Sequence, residues 1–206
     1  MLIYQCGFYL YSMKTLLLTL FSILLVKVSS AQSDLLSFDE HNKYIYYQVV
    51  DMPGISVDTL HARGLSFLKA NYGKMKVKPI GLNNLNGEGR FLVYGGLSVL
   101  KHEKGEIDYV LNVEFKDQKY RFWFTDFTFT PYERDRYNNY VPKLGTVIPL
   151  ESAQDKLDKK DVAGYLDEAG AFCKQFADSL KQYILHVPVS APKKEENTKK
   201  VVTDKW

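Results

Sequence analysis

Residues 107–130 read IDYVLNVEFKDQKYRFWFTDFTFT, a run patterned as two strands joined by a short turn. Ile107, Tyr109, Leu111, Val113 and Phe115 alternate with Asp108, Val110, Asn112, Glu114 and Lys116. Side chains of a strand point to opposite faces in turn, so this is a strand with one face buried. Lys119–Thr130 is a second aromatic strand, and Asp117-Gln118 between them is short enough for a two-residue hairpin loop. That loop sets the register: Phe115 faces Tyr120, Val113 faces Phe122 and Leu111 faces Phe124, while Glu114 meets Arg121 on the other side. The alternation breaks at Asp126, which would point inward opposite Tyr109. One extra residue near Thr125-Asp126 restores it, pairing Phe127 with Tyr109 and Phe129 with Ile107. The sequence therefore predicts a β-bulge there, with Asp126 bonding to nearby backbone.

Working outward, Tyr44–Val50 (YIYYQVV) is a strand, and Pro53-Gly54 is a turn. Ser56 caps a helix whose apolar stripe is Val57, Leu60, Gly64, Phe67, Leu68 and Tyr72, ending at Gly73. Gly64 lies on the stripe, where its lack of a side chain allows close approach to a sheet. Met75–Leu82 is a weaker strand, Asn83–Gly89 (NNLNGEG) a turn, and Gly89–Leu100 a strand interrupted at Gly95-Gly96. Lys101–Glu106 reads as a polar loop. After the hairpin, Pro131 ends the strand, and 132–149 is a long irregular connection. Asp161 caps a second helix with the stripe Val162, Tyr165, Leu166, Ala169, Phe172, Cys173, Phe176, Leu180, Tyr183 and Ile184. Runs of strands bracketed by helices give an α+β domain, with both helices on one face of an antiparallel sheet.

The ends of the chain differ from this body. Met13–Ala31 (MKTLLLTLFSILLVKVSSA) has a basic start, an apolar run from Leu16 to Val26 and small residues at Ser29 and Ala31, which is the layout of a secretory signal peptide. The run is about 11 residues, against about 20 for a membrane span. Residues 1–31 are thus expected to be a leader, with Met13 as an alternative start. Residues 32–187 form the domain, and 188–206 a disordered Lys-rich tail. The product is exported, to the periplasm or beyond the cell, with no stable membrane span once the leader is removed.

Charge and cysteine usage narrow the function. The formal charge is +3, and losing Lys14 and Lys27 with the leader brings it close to balance, so no nucleic-acid footprint is expected. Cys6 falls in the leader, leaving Cys173 alone, with neither an intrachain disulfide nor a cysteine metal cluster. His41, His61, His102 and His186 are not spaced as a zinc pair and read as surface residues. No G-x-S-x-G elbow or phosphate-binding loop is present, so no catalytic residue, metal ligand or cofactor is assigned.

The residues quoted above carry a resemblance. The early strand with its Pro-Gly turn, the helix ending in Tyr72-Gly73, the Gly-rich strand and the hairpin together resemble domain-of-unknown-function family 4468. The similarity runs over roughly Phe38 to Leu185 and is most specific at Asp117–Phe127, where family members carry a KDGKYRYxFxDF hairpin. The family implies a TBP-like fold, in the order strand, helix, four strands, helix, and exported proteins of Gram-negative gut and oral bacteria. It implies no catalytic residues and no DNA binding. Gln118 stands where the family has Gly, which leaves the turn type open.

The function expected is a non-catalytic extracytoplasmic binding module. Its candidate residues are Arg121 and Trp123 on the outer sheet face, and Arg134, Arg136, Tyr137 and Tyr140 in the long connection beside it. Tyr and Arg are enriched where proteins recognise partners. The partner would be a cell-envelope protein or a small molecule. An alternative is a carrier of an apolar molecule in a cavity lined by Tyr165, Phe172, Phe176, Phe122 and Phe124. A hydrolase is the weakest reading.

Overall fold

The computed structural model describes residues 35–95 and 102–186. The leader, the Lys-rich tail, residues 96–100 of the expected strand Gly89–Leu100 and residue 101 lie outside the described residues. In chain order the elements are β1 (Ser37–Phe38), β2 (Tyr44–Asp51), α1 (Val57–Asn71), β3 (Lys76–Ile80), β4 (Asn84–Gly95), β5 (His102–Lys116), β6 (Lys119–Arg134), β7 (Tyr140–Pro142), β8 (Ile148–Pro149), a 3-10 turn (Leu150–Asp155) and α2 (Lys159–His186). The sheet is antiparallel, with order β1-β2-β6-β5-β4-β3, and β7 and β8 both pair with β6. The architecture is α+β, an antiparallel sheet with two helices.

The hairpin register is as expected: Phe115 pairs with Tyr120, Val113 with Phe122, Leu111 with Phe124 and Glu114 with Arg121. The bulge is present too. The register shifts between Asp108 and Val110, Ile107 pairs with Phe129, and Asp126 takes a φ of 55°. Phe127 is buried, so the extra residue returns the aromatic series to the core.

Both helices cover the face carrying Ile107, Tyr109, Leu111, Val113 and Phe115. A Cβ on Gly64 would lie 2.4 Å from Phe115 Cζ, so α1 sits at backbone distance from the sheet. From α2, Phe176 lies 5.6 Å from Phe122 and 4.9 Å from Phe124, ring centre to ring centre, and 5.5 Å from Phe67 of α1. Such edge-on and tilted aromatic contacts add to the stabilisation from area burial. Cys173 is buried among them, and burial pushes its thiol well above the ordinary range.

Five local expectations are corrected. Asn83–Gly89 is not a turn: β4 already runs from Asn84, and the chain reverses at Gly81, with φ 66°. Gly87 and Gly89 serve proximity instead, since a Cβ there would meet Met75 Sδ at 2.6 Å and the Tyr109 hydroxyl at 2.5 Å. The supposed loop Lys101–Glu106 is strand from His102 onward, and Gly105 lets the Phe129 ring approach to 2.4 Å of a would-be Cβ. Pro131 does not end β6, which continues to Arg134. The 132–149 connection is not irregular throughout: Tyr132–Arg134 pairs with Tyr140–Pro142, and Ile148-Pro149 pairs with Thr128-Phe129. Asp161 does not cap α2. The Asp158 carbonyl accepts from the N–H of Asp161 and Val162, while Asp161 pairs with Lys104 at 2.6 Å.

The hairpin turn is held from outside. Only its second residue, Gln118, has a positive φ (59°). A type I′ turn needs positive φ at both positions, so the turn is of another type. Gln118 N–H donates to the Ile55 carbonyl (3.1 Å) and its carbonyl accepts from Met52 N–H (2.7 Å). The Pro53-Gly54 turn and the β5–β6 turn are therefore clasped together.

Candidate binding face

The helices leave the other side of the sheet open, and the alternation of each strand decides what it displays. One row across the strands reads Lys78, Asn86, Asn112, Trp123 and Tyr47; the next reads Ile80, Asn84, Glu114, Arg121 and Val49. Tyr47 is 50% exposed and Val49 51%, and Trp123 is half-buried between its neighbours. Arg121 binds Glu114 through Nε and Nη2, both at 2.6 Å, and its guanidinium lies 5.6 Å from the Trp123 ring centre. The Glu114 carboxylate, then the Tyr47 hydroxyl, hold the Arg121 guanidinium above its ordinary value. Asn86 Nδ2 donates to Asn112 Oδ1 at 2.9 Å, forming an amide pair beside the tryptophan.

Beyond that row the face deepens into a cleft of about 840 Å³. It is lined by Glu88 and Arg90 of β4, Asp108 and Val110 of β5, Asp126 and Thr128 of β6, the α1–β3 turn from Asn71 to Lys76, and Gly89 with Tyr109, which reaches it from the helix-covered face. Arg90 organises one end. Its Nη1 donates to Glu106 Oε1 at 2.7 Å and its Nε lies 3.3 Å from Asp108 Oδ1. Glu106 is buried, and the Tyr132 hydroxyl donates to its second oxygen at 3.0 Å. Asp108 and Glu106 hold the Arg90 guanidinium above its usual range. Burial raises the Asp108 carboxyl, against the pull of Arg90. Burial, then the bond to Glu106, push the Tyr132 phenol up to about 12. Asp126 does not bond to local backbone as expected; it pairs with Lys43, which it holds above the ordinary lysine value.

The six candidate residues separate into two places. Arg121 and Trp123 belong to the open face. Arg134, Arg136, Tyr137 and Tyr140 lie in and around the β6–β7 turn, eleven residues further along the strand at Arg134, which is on the order of 35 Å at the usual strand rise. The connection is therefore not beside Trp123. Arg134 is engaged inside its own hairpin: it stacks over Tyr140 at 4.9 Å, donates to the Tyr140 hydroxyl at 2.8 Å and to Asn138 Oδ1 at 2.7 Å. Arg136 lies 5.9 Å from the ring of Tyr137, which is 75% exposed. Nor do the five aromatics of the expected carrier cavity enclose one. Phe124 touches both Phe172 and Phe176, and Tyr165 stacks on Phe129 at 4.3 Å. His61 is not a free surface residue either: it packs edge-on against Phe115 at 5.6 Å, with its Nε2 buried.

Sequence reading missed Tyr47, Asn86, Asn112, Arg90 and Glu106. Tyr47 was legible as an outward position of YIYYQVV. Asn86 and Glu106 sit in stretches read as turn and loop, and Asn112 and Arg90 sit in expected strands, with no sequence signal for their partners. Among the described residues, no three His, Cys, Asp or Glu side chains gather to hold a metal ion, and no helix is long and apolar enough to cross a membrane.

A family model described as a domain of unknown function (DUF4468) with TBP-like fold matches residues 46–130, from β2 through most of β6. Two solved structures are similar to the chain. One is a TBP-like protein from Parabacteroides distasonis ATCC 8503, 14% identical, with TM-score 0.55 over 71% of this chain and 95% of that one. The other is a DUF4468 family protein from Bacteroides ovatus ATCC 8483, 11% identical, with TM-score 0.55 over 77% of this chain and 95% of that one. At these identities the likeness concerns the fold alone. No curated protein matches the chain.

Proposed function

We propose that this chain, which belongs to the DUF4468 family through residues 46–130, is an exported, non-catalytic binding module that engages its partner with the open face of its sheet. The observation that carries this reading is Tyr47, Val49 and Trp123 clustered around the Arg121–Glu114 pair, on a face that neither helix covers. Aromatic and arginine side chains of this kind anchor recognition surfaces. The non-catalytic reading draws support from how the carboxylates are used: Glu114 is tied to Arg121, Asp126 to Lys43, and Glu106 to Arg90 and Tyr132. A general acid or base needs a carboxyl free to exchange its proton with substrate. Export rests on the leader Met13–Ala31, with the mature chain starting near Gln32.

The test is capture of partners from the cell envelope by the native protein, by Trp123→Ala and by Arg134→Ala, with each captured component identified by mass spectrometry. The open-face reading expects a component retained by Arg134→Ala and lost with Trp123→Ala. Equal capture by both variants refutes it. N-terminal sequencing of the native product tests export, and a sequence still holding Lys14 refutes it.

A further inference from the structure

The charges of the cleft define what it can hold, on the premise that the open face is the binding surface. We propose that the cleft and the adjoining Asn86–Asn112–Trp123 row bind a neutral, hydroxyl-rich ligand: a short saccharide. Three bases line the cleft, Lys74, Lys76 and Arg90, against three acids, Glu88, Asp108 and Asp126, so it offers no net field to a phosphate or a cation. Its central charges are also engaged already, Arg90 with Glu106 and Asp108, and Asp126 with Lys43. A charged ligand drawn to Arg90 or to Asp126 would have to part these pairs, whereas a neutral one leaves them whole.

Paired charges still offer hydrogen bonds. A guanidinium has five N–H donors and a carboxylate about four acceptor sites, so the pairs form a fixed array with both donors and acceptors to spare. Hydroxyl groups, which donate and accept at once, complement such an array. Beside it, the Asn86–Asn112 bond uses one amide N–H and one amide oxygen, so the pair keeps further donors and acceptors for a hydroxyl-bearing ligand. Trp123 follows in the same row and supplies a flat apolar surface for the C–H face of a sugar ring. The volume lies in the range of small-molecule sites.

The test uses the full chain with Trp206→Phe, which leaves Trp123 as the only tryptophan. It is titrated with maltotriose, cellotriose and triacetylchitotriose and applied to an array of neutral glycans. At least one glycan is expected to shift Trp123 emission saturably, with a dissociation constant weakened at least tenfold by Asn112→Ala and by Asn86→Ala. Raising the salt should leave that constant unchanged, because no ion pair is formed with the ligand. Melting curves confirm that the asparagine variants fold. No response to any neutral glycan overturns the proposal, as does binding that fades with salt or ignores both asparagine variants. If glycans fail while the Trp123-dependent envelope component is still captured, only the ligand class falls. If both fail, the open-face reading falls with it.

Discussion

One substitution made at two sites should have opposite effects. Gly64→Ala and Gly164→Ala each place a methyl group inside a helix, and each removes the intrinsic cost of glycine there, about 1 kcal/mol. At Gly164 a new Cβ meets no other atom within 4 Å, so the full gain of about 1 kcal/mol is expected as added stability. At Gly64 the Cβ would lie 2.4 Å from Phe115 Cζ and 3.0 Å from Cε1. Phe115 cannot easily yield: it is 2% exposed, and the His61 ring stands against it. Overpacking of this kind costs about 1–3 kcal/mol, so the net effect at Gly64 is a loss of about 1 kcal/mol. The two variants should then differ by about 2 kcal/mol, or roughly 4–8 °C in Tm for a chain of this size. Urea unfolding followed by far-UV circular dichroism measures both. A Gly64→Ala protein as stable as Gly164→Ala would mean that α1 does not rest on the sheet at Phe115.

Three further outcomes are expected. Glu106→Ala leaves the Tyr132 hydroxyl and one Arg90 N–H without their charged acceptor and should cost about 2 kcal/mol in denaturant unfolding; an unchanged midpoint would show that the pair contributes nothing. The fold holds the Tyr132 phenol neutral, with its pKa raised to about 12 from an unfolded value of about 10. Its contribution is therefore complete below about pH 10 and is lost as the pH climbs toward 12; Tyr132→Phe should flatten that part of the pH–stability curve, and an identical curve would count against the bond to Glu106. Gln118→Gly frees a left-handed backbone position, φ 59°, from its side chain and should stabilise the protein by about 1 kcal/mol by thermal melting; a fall in Tm would mean that the Gln118 side chain, 3.4 Å from the Gly54 N–H, matters more than its backbone strain.

Much of the fold was legible because its central hairpin carries two independent signals. The alternation from Ile107 to Phe115 sets the face, and the break at Asp126 sets the bulge. Both are local, and both depend on burial. Two stretches that contain glycine belong to strands for one physical reason. In Asn83–Gly89 the glycines suggest a chain reversal, and Gly105 lies in a polar stretch that suggests a loop, but Gly87, Gly89 and Gly105 have no positive φ. They make room for Met75, Tyr109 and Phe129, which arrive from other elements. A sequence lists a glycine without saying which distant side chain needs the space. The binding face failed in a similar way: Arg121 and Trp123 were found from their strand, but Asn86 joins them only through the β4–β5 register, which the misread turn concealed. The β6–β7 hairpin was misplaced because Pro131 suggests an ending, while β6 in fact carries Arg134 far past Trp123.

The position of β2 bears on how the chain matures during synthesis. Tyr44–Asp51 lies between β1 and β6, so its long partner is made some seventy residues later. Until Lys119–Phe124 has left the ribosome, the YIYYQVV segment has no neighbour to complete it, whereas β3, β4, β5 and β6 can zip up in succession through short connections. The meander is thus the natural nucleus and β2 the latecomer. A chaperone that shields this one early aromatic segment would guard the nascent chain at its most vulnerable moment.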